Sequence, residues 1–223
     1  MPTPSNLAGR LSRFCLAALE NGSAIAAKTH VVTYLGGQTA LVSWQCDEPP
    51  DLSNLSIEDV RTYLFCLEHS HYSLVTQDGS IVQMTFKIHR GDIIGHRLCY
   101  LPCPVSFDPL ELLEDNLQDV VTRNLHSQNF EVLRQRGVVR FDYDPAAEAE
   151  HHPSCHFTLN FDEVRIPVGR SFDAAVFLSF VDSHFIAGRE GLTRFGLNVG
   201  RDDTSAVLAE NDRVLPHVWW DAA

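Results

Sequence analysis

Residues 140–168 read RFDYDPAAEAEHHPSCHFTLNFDEVRIPV, and this stretch carries the densest concentration of reactive side chains in the chain. Apolar and polar residues alternate along it with a period of two, which is typical of β-strands. The alternation predicts three short strands, at 140–145, 151–160 and 165–168. If they pair as an antiparallel meander, one face is apolar and the other is polar. The polar face would gather five residues: Arg140, Asp142, His156, Thr158 and Arg165.

A second antiparallel meander is predicted earlier in the chain. Asp78-Gly79 is a hairpin signal ahead of an alternating run at 81–89, and a turn at 90–92 leads to a strand at 93–101. Helical spacing and capping residues predict helices at 6–21, 56–68, 108–125 and 171–185. These elements predict an α+β protein with an antiparallel sheet of two meanders, about six to eight strands, and helices packed mainly on one face.

Length and charge bound the class of protein. A chain of 223 residues fits a single domain, 1–223, and we expect a loop-rich C-terminal tail from about residue 188. The net charge is −12 and the lysines number only two, Lys28 and Lys87, which excludes a general nucleic-acid surface. Nucleic acid would therefore be bound only through a partner or through a few local arginines.

The chain has no obvious membrane or export signal. It contains no run of about 18 apolar residues, and its N-terminus does not resemble a secretory leader. We therefore expect a cytoplasmic protein that does not bind a membrane. The six cysteines are scattered among apolar neighbours, which predicts reduced and mostly buried thiols.

Zinc ligands of the usual types occur in two groups, His96-x-x-Cys99-x-x-x-Cys103 and His151-His152-x-x-Cys155-His156. On a strand, however, His96 and Cys99 would point to opposite faces, as would Cys155 and His156. A strand cannot supply both residues of such a pair to one ion. We therefore assign no metal ligands and no cofactor, and keep a zinc-stabilised structural domain as an alternative.

A phosphoester hydrolase or nuclease-like enzyme is a second alternative. His156 would act as general base because histidine titrates near neutral pH, with Asp142 orienting it and Arg165 holding the anion. His152 would be a second proton carrier. No nucleophile elbow, phosphate-binding glycine loop or dinucleotide motif is present in the sequence. The same residues also fit an ordinary cross-strand ion pair on a half-exposed sheet, so whether the chain is an enzyme stays open.

A binding role is the third possibility from the residues themselves. Arg97, Arg140 and Arg165 could grip the carboxylates of a partner or a nucleic-acid backbone. Trp219 and Trp220 are large aromatics near the C-terminus, of the kind that anchor protein interfaces, although they would equally well close the core. Another protein is therefore the partner we expect.

Five motifs occur in order along the chain: Asp78-Gly-Ser-Ile-Val-Gln83, His96-Arg-Leu-Cys-Tyr-Leu-Pro-Cys-Pro104, Arg140-Phe-Asp-Tyr-Asp-Pro145, His152-Pro153 to His156, and Arg165-Ile-Pro167. Over about residues 56–185 this order resembles an uncharacterised bacterial protein family, the domain of unknown function DUF2290. The resemblance implies a bacterial cytosolic protein of no established activity, connected with mobile-element or phage-defence genes. It also groups His96, Arg97 and His152 with the polar residues of the later meander.

The favoured hypothesis is therefore an accessory or binding subunit of a bacterial complex, related to phage defence or mobile elements. It would use the polar face of arginine, histidine and aspartate side chains. The hydrolase and the zinc-stabilised domain remain the alternatives.

Overall fold

The computed structural model describes residues 3–46, 60–127, 132–133, 137–149, 152–159, 164–186, 202 and 207. Within these residues, nine strands pair into one antiparallel sheet, which confirms the predicted α+β class. The strands are β1 (Ala24–Ala27), β2 (His30–Gly36), β3 (Thr39–Trp44), β4 (Leu74–Thr76), β5 (Ile81–His89), β6 (Asp92–Leu101), β7 (Val139–Tyr143), β8 (Cys155–Leu159) and β9 (Arg165–Pro167).

The described residues also form four α-helices and two short 3-10 turns. The helices are α1 (Pro4–Glu20), α2 (Val60–Glu68), α3 (Leu117–His126) and α4 (Ala174–Phe185). The 3-10 turns are Pro109–Leu113 and Pro145–Ala147. No helix among the described residues is long and apolar enough to cross a membrane.

The prediction of one continuous helix at 108–125 is wrong, because this segment forms a 3-10 turn followed by a separate helix, α3. Asp108 caps the 3-10 turn, and Asn116 then starts α3 by accepting a hydrogen bond from the Asp119 amide at 3.0 Å. An asparagine side chain that satisfies a free amide stabilises a new helix start, so the chain breaks there. At α4 the cap is Asp173, which accepts from the Val176 amide at 2.7 Å, and not the predicted Ser171.

The strand order across the sheet is β1-β4-β5-β6-β7-β8-β9, and β2 and β3 form a hairpin beside it. β5 is paired along one edge by two different strands. Its start pairs with β4 at Val82, and its end pairs with β3 at Phe86 and Ile88. The other edge of β5 pairs with β6 over its whole length, so β5 is the central strand of the fold.

The two faces of the sheet are covered unequally. The two longest helices, α1 and α4, pack on one face and close the main core around residues such as Phe86, Phe141 and Phe177. Burying one such side chain fully is worth roughly 1.5–3 kcal/mol. α2 and α3 cover only part of the opposite face, where Cys66 packs in a smaller core with Cys99. The remainder of that second face holds the polar residues of β6 to β9.

The cysteines behave as small apolar side chains. All six are free thiols, and five are buried. Burial raises the pKa of the Cys66 and Cys99 thiols to about 12, so both stay protonated at neutral pH. The predicted helix start at 56–59 lies outside the described residues, as does the predicted loop-rich tail from about residue 188, except for residues 202 and 207.

Candidate anion-binding site

The strand register brings the polar residues of two meanders into two rows across the sheet. Residues directly opposite one another form the first row on β5, β6, β7 and β8: Thr85, Arg97, Asp142 and His156. The second row runs over β6, β7, β8 and β9: Cys99, Arg140, Thr158 and Arg165. The polar face predicted from alternation is therefore confirmed, and Arg97 extends it onto the earlier meander.

This polar face is concave and forms a pocket of about 490 Å³, a volume typical of small-molecule sites. The pocket is lined by seven of the polar residues singled out from the sequence: His96, Arg97, Arg140, Asp142, His152, His156 and Arg165. Thr158 lies on the same face and is fully buried, but it is not part of the lining. The polar residues therefore line a pocket and do not lie on a flat, solvated sheet face.

Several lining residues were missed by the sequence reasoning: Leu41, Thr85, Lys87, Ile94, Gly95, Tyr143, Asp144 and Ala147. Thr85 and Lys87 were detectable, because alternation places both on the same side of β5, opposite its apolar residues. Leu41 was not, because its place depends on the long-range pairing of β3 with β5, where it lies opposite Lys87.

Asp142 is the centre of a buried ion-pair network. Its carboxylate accepts a hydrogen bond from Arg97 Nε at 2.8 Å and another from Arg140 Nε at 2.5 Å. Burial alone would raise the pKa of Asp142, but the two guanidinium groups outweigh it and hold the pKa below its usual value. Asp142 is therefore ionised, and its partners within the described residues are Arg97, Arg140 and His156, not the predicted Arg165.

His156 forms the floor of the pocket and is only 2% exposed. Its Nδ1 lies 2.9 Å from the Pro153 carbonyl oxygen, and its Nε2 lies 3.6 Å from Asp142 Oδ2. Burial lowers the pKa of His156 more than Asp142 raises it, so the ring is neutral, with its proton on Nδ1. The orienting role predicted for Asp142 is thus taken by the Pro153 carbonyl.

The wall of the pocket contains an unusual concentration of unpaired polar atoms. Among the described residues, three buried side-chain atoms of the pocket lining have no hydrogen-bond partner: His152 Nδ1, His156 Nε2 and Arg165 Nε. Thr158 Oγ1, on the same sheet face but outside the lining, has none either. The rings of His152 and His156 meet edge to face at 4.9 Å. Each unpaired buried polar atom costs about 1–3 kcal/mol, so such clusters mark places built for something other than stability.

His96 is placed differently from the prediction. It borders the pocket, but its ring packs between Phe86 and Phe172 on the apolar face. The Phe172 amide donates to its Nε2 at 2.9 Å, and its Nδ1 lies 3.3 Å from the Phe141 carbonyl. Grouping His96 with Arg97 on one polar face was therefore wrong, because consecutive residues of a strand point to opposite faces.

The same alternation separates the possible zinc ligands. Cys155 belongs to the main apolar core, whereas His156 lies in the pocket. Within the described ranges, no group of three or more histidine, cysteine or acidic side chains is arranged to hold a metal ion. Trp219 and Trp220, the predicted partner anchors, lie outside the described residues.

Comparison with protein families gives one match. The family model described as an uncharacterized conserved protein, DUF2290, matches residues 26–220. Searches of curated proteins and of solved structures found no match. The matched range includes every strand from β2 to β9 and all the residues of the pocket. The chain therefore belongs to this family of uncharacterized conserved proteins.

Proposed function

We propose that this chain is a binding protein whose pocket recognises an anionic group. The observation that carries the proposal is a local reversal of charge. The whole chain has 17 basic and 29 acidic residues. The pocket lining instead has four cationic side chains, Lys87, Arg97, Arg140 and Arg165, against two carboxylates, Asp142 and Asp144. Guanidinium groups match the geometry of oxyanions, and a cleft concentrates their field.

The accessible cations lie at the edges of the pocket, where a ligand would meet them. Lys87 is exposed and the Arg97 side chain is 25% exposed, while Arg165 is half-buried. Arg140 is buried and bonded to Asp142, so it supports the wall. An anion entering between Arg97 and Arg165 would lie above His156. While the His156 ring is neutral, it neither attracts nor repels the anion by charge.

The burial of His156 favours binding over catalysis. A general base must reach the proton that it removes, within hydrogen-bond distance or through one water. The His156 Nε2 atom is shielded from solvent, and the nearest charged group is a carboxylate that two arginines already hold. The phosphoester hydrolase therefore remains an alternative with less geometric support than a binding site.

This binding role fits the accessory subunit of a bacterial complex that the sequence suggested, related to phage defence or mobile elements. In such a complex the pocket would receive a phosphate or carboxylate group from a ligand or partner. The relation of this complex to phage defence or mobile elements is likewise part of the proposal.

The test is isothermal titration of the intact chain with inorganic phosphate and, separately, sulfate. We expect Arg165→Gln to weaken phosphate binding by roughly tenfold or more, because a charge-assisted hydrogen bond is worth about 1.5–3 kcal/mol. The matched control is Arg123→Gln, which changes an exposed arginine bound to Glu111 and Asp115 that is not part of the pocket lining. If neither anion binds the wild type, or if both variants bind equally, the proposal fails.

A turnover assay separates the hydrolase from the binding protein. The wild-type chain is incubated with a chromogenic phosphodiester, and product is followed over hours. We expect no release above that of His156→Gln. Release by the wild type that is lost in His156→Gln, with anion binding retained, would establish the enzyme instead.

A further inference from the structure

We propose that the ligand of this pocket is a small phosphomonoester with an apolar body, of about the size of a nucleoside monophosphate. The inference rests on the proposed function, since it assumes that the pocket binds an anion. It adds the chemical class of that anion. Three features of the pocket support it: its charge, its extent and its apolar lining.

The charge of the pocket matches a dianion. Four cationic side chains less two carboxylates leave a net charge of +2, with the histidines of the lining not counted. A phosphomonoester carries about −1.5 to −2 near neutral pH. A carboxylate, or one phosphate of a nucleic-acid backbone, carries a single negative charge. Of these three groups, only the monoester neutralises the pocket by itself, as inorganic phosphate or sulfate also would; the extent and apolar lining of the pocket separate the monoester from those ions.

The extent of the pocket exceeds what an inorganic anion fills. Its lining residues come from β3, β5, β6, β7, β8 and β9. Neighbouring strands lie about 4.8 Å apart, so five strand-to-strand steps span roughly 24 Å. Ile94 on β6 and His156 on β8 are two strands apart, about 10 Å across the sheet, and Ile94 is also three residues along β6 from Arg97, which lies in the row of His156. The diagonal of roughly 14 Å suits the length of a nucleoside-sized molecule.

Part of the lining is apolar and would contact such a body. Leu41 and Ile94 are half-buried, and Ala147 is exposed. All three belong to the pocket, on the side of β3, β6 and the turn after β7. Arg165, at the other end, is on β9. Cationic side chains therefore occur along the whole pocket, from Lys87 opposite Leu41 to Arg165 on β9, while the apolar side chains lie on the β3 and β6 side. A ligand with an anionic head and an apolar body would contact both kinds of side chain.

The charge of the whole chain argues against a nucleic-acid polymer. A polyanion would have to approach a surface that carries a net −12, and this repulsion acts over about 8–10 Å at physiological salt. A small ligand inside the pocket meets mainly the local positive field. The same four cations therefore favour a compact dianion and give little advantage to a long strand.

The experiment is titration calorimetry of the full chain at pH 7.5 with inorganic phosphate, phenyl phosphate, adenosine monophosphate and a single-stranded hexanucleotide. We expect the two organic phosphates to bind at least about tenfold more tightly than inorganic phosphate, since each buries additional apolar area. We expect the hexanucleotide to bind more weakly than adenosine monophosphate.

Two variants locate the apolar contact. Ile94→Ser, and independently Leu41→Ser, should lower the affinity for phenyl phosphate and adenosine monophosphate by a larger factor than the affinity for inorganic phosphate. Val31→Ser, a matched control on the partly exposed strand β2, should change none of the affinities. A melting curve for each variant confirms that it is folded.

The outcomes are distinguishable. Equal affinities for inorganic and organic phosphates would overturn the ligand class while leaving the anion site in place, and tighter binding of the hexanucleotide would point to nucleic acid instead. Failure of every phosphate compound to bind would remove the proposed function itself.

Discussion

His96 and His156 lie close together in the sheet, yet their hydrogen bonding differs. Both are buried, and burial lowers the pKa of each; that of His96 falls to about 4. On the apolar face His96 uses both ring nitrogens, with Phe172 donating to one and Phe141 accepting from the other. On the pocket face His156 has a hydrogen bond only at Nδ1 within the described residues. The two histidines therefore share burial but differ in that one ring nitrogen of His156, beside the pocket, has no hydrogen-bond partner among the described residues.

The largest expected effect tests His96 as part of the core. His96→Ala leaves the Phe172 amide without its partner and opens a cavity beside Phe86, so we expect a loss of about 4 kcal/mol in the free energy of unfolding. His156→Ala removes one hydrogen bond and one unpaired atom, and should cost about 1 kcal/mol. Urea unfolding measures both. Equal losses would abolish the distinction between the two histidines.

The next prediction compares the loss of stability when each of two pocket arginines is replaced. Arg140→Gln takes one guanidinium from the buried Asp142 carboxylate and should cost about 3 kcal/mol. Arg165→Gln removes a side chain whose Nε has no partner in the described part of the chain, and should change stability by less than about 0.5 kcal/mol. Thermal and urea unfolding give the comparison. A loss at Arg165 as large as at Arg140 would show that Arg165 is structural.

The smallest effect is the pH dependence that His96 contributes. Its pKa is about 4 in the folded chain, against an ordinary value of 6.5, so between these values the unfolded chain binds the proton and the folded chain does not. Stability therefore falls as pH decreases through this window, by about 2 kcal/mol from this group between pH 7 and 5. His30, whose pKa is also lowered to about 4, adds a similar loss.

His96→Gln should therefore lose less stability than the wild type between pH 7 and 5, even though it is less stable at pH 7. The two unfolding curves are measured in the same buffers. A pH dependence identical to that of the wild type would mean that the pKa of His96 does not differ between the folded and unfolded chain.

The sequence predicts which residues of each strand share a sheet face, because side chains alternate between the two faces with a period of two. Arg140, Asp142, His156 and Arg165 meet on one face for this reason. The same rule, applied strictly, would have moved His96 to the other face. The alternation of side chains does not predict how the sheet curves, so the sequence did not distinguish a pocket from a flat sheet.

Other parts of the fold depend on contacts that no local pattern records. The pairing of β5 with both β3 and β4 joins segments that lie far apart in the chain, and it places Leu41 in the pocket. The break before α3, by contrast, is indicated locally by Asn116, a good N-cap residue, and by Asp119 three residues later. The prediction of one continuous helix relied on the spacing of apolar residues and did not use this capping signal. The Pro153 carbonyl that orients His156 was hidden because backbone acceptors have no sequence signature.

The pairing of β6 with β7 has a consequence for the synthesis of the chain. Arg97 and Asp142 meet across this pairing although they are 45 residues apart. Closing a segment of that length costs about 3 kcal/mol of chain entropy, whereas the β5–β6 hairpin closes through a tight turn. On the ribosome, the hairpins of the first half can therefore form long before the pocket exists. Because Arg165 is the last residue of the pocket lining in chain order, the lining is complete only once β9 has been synthesised.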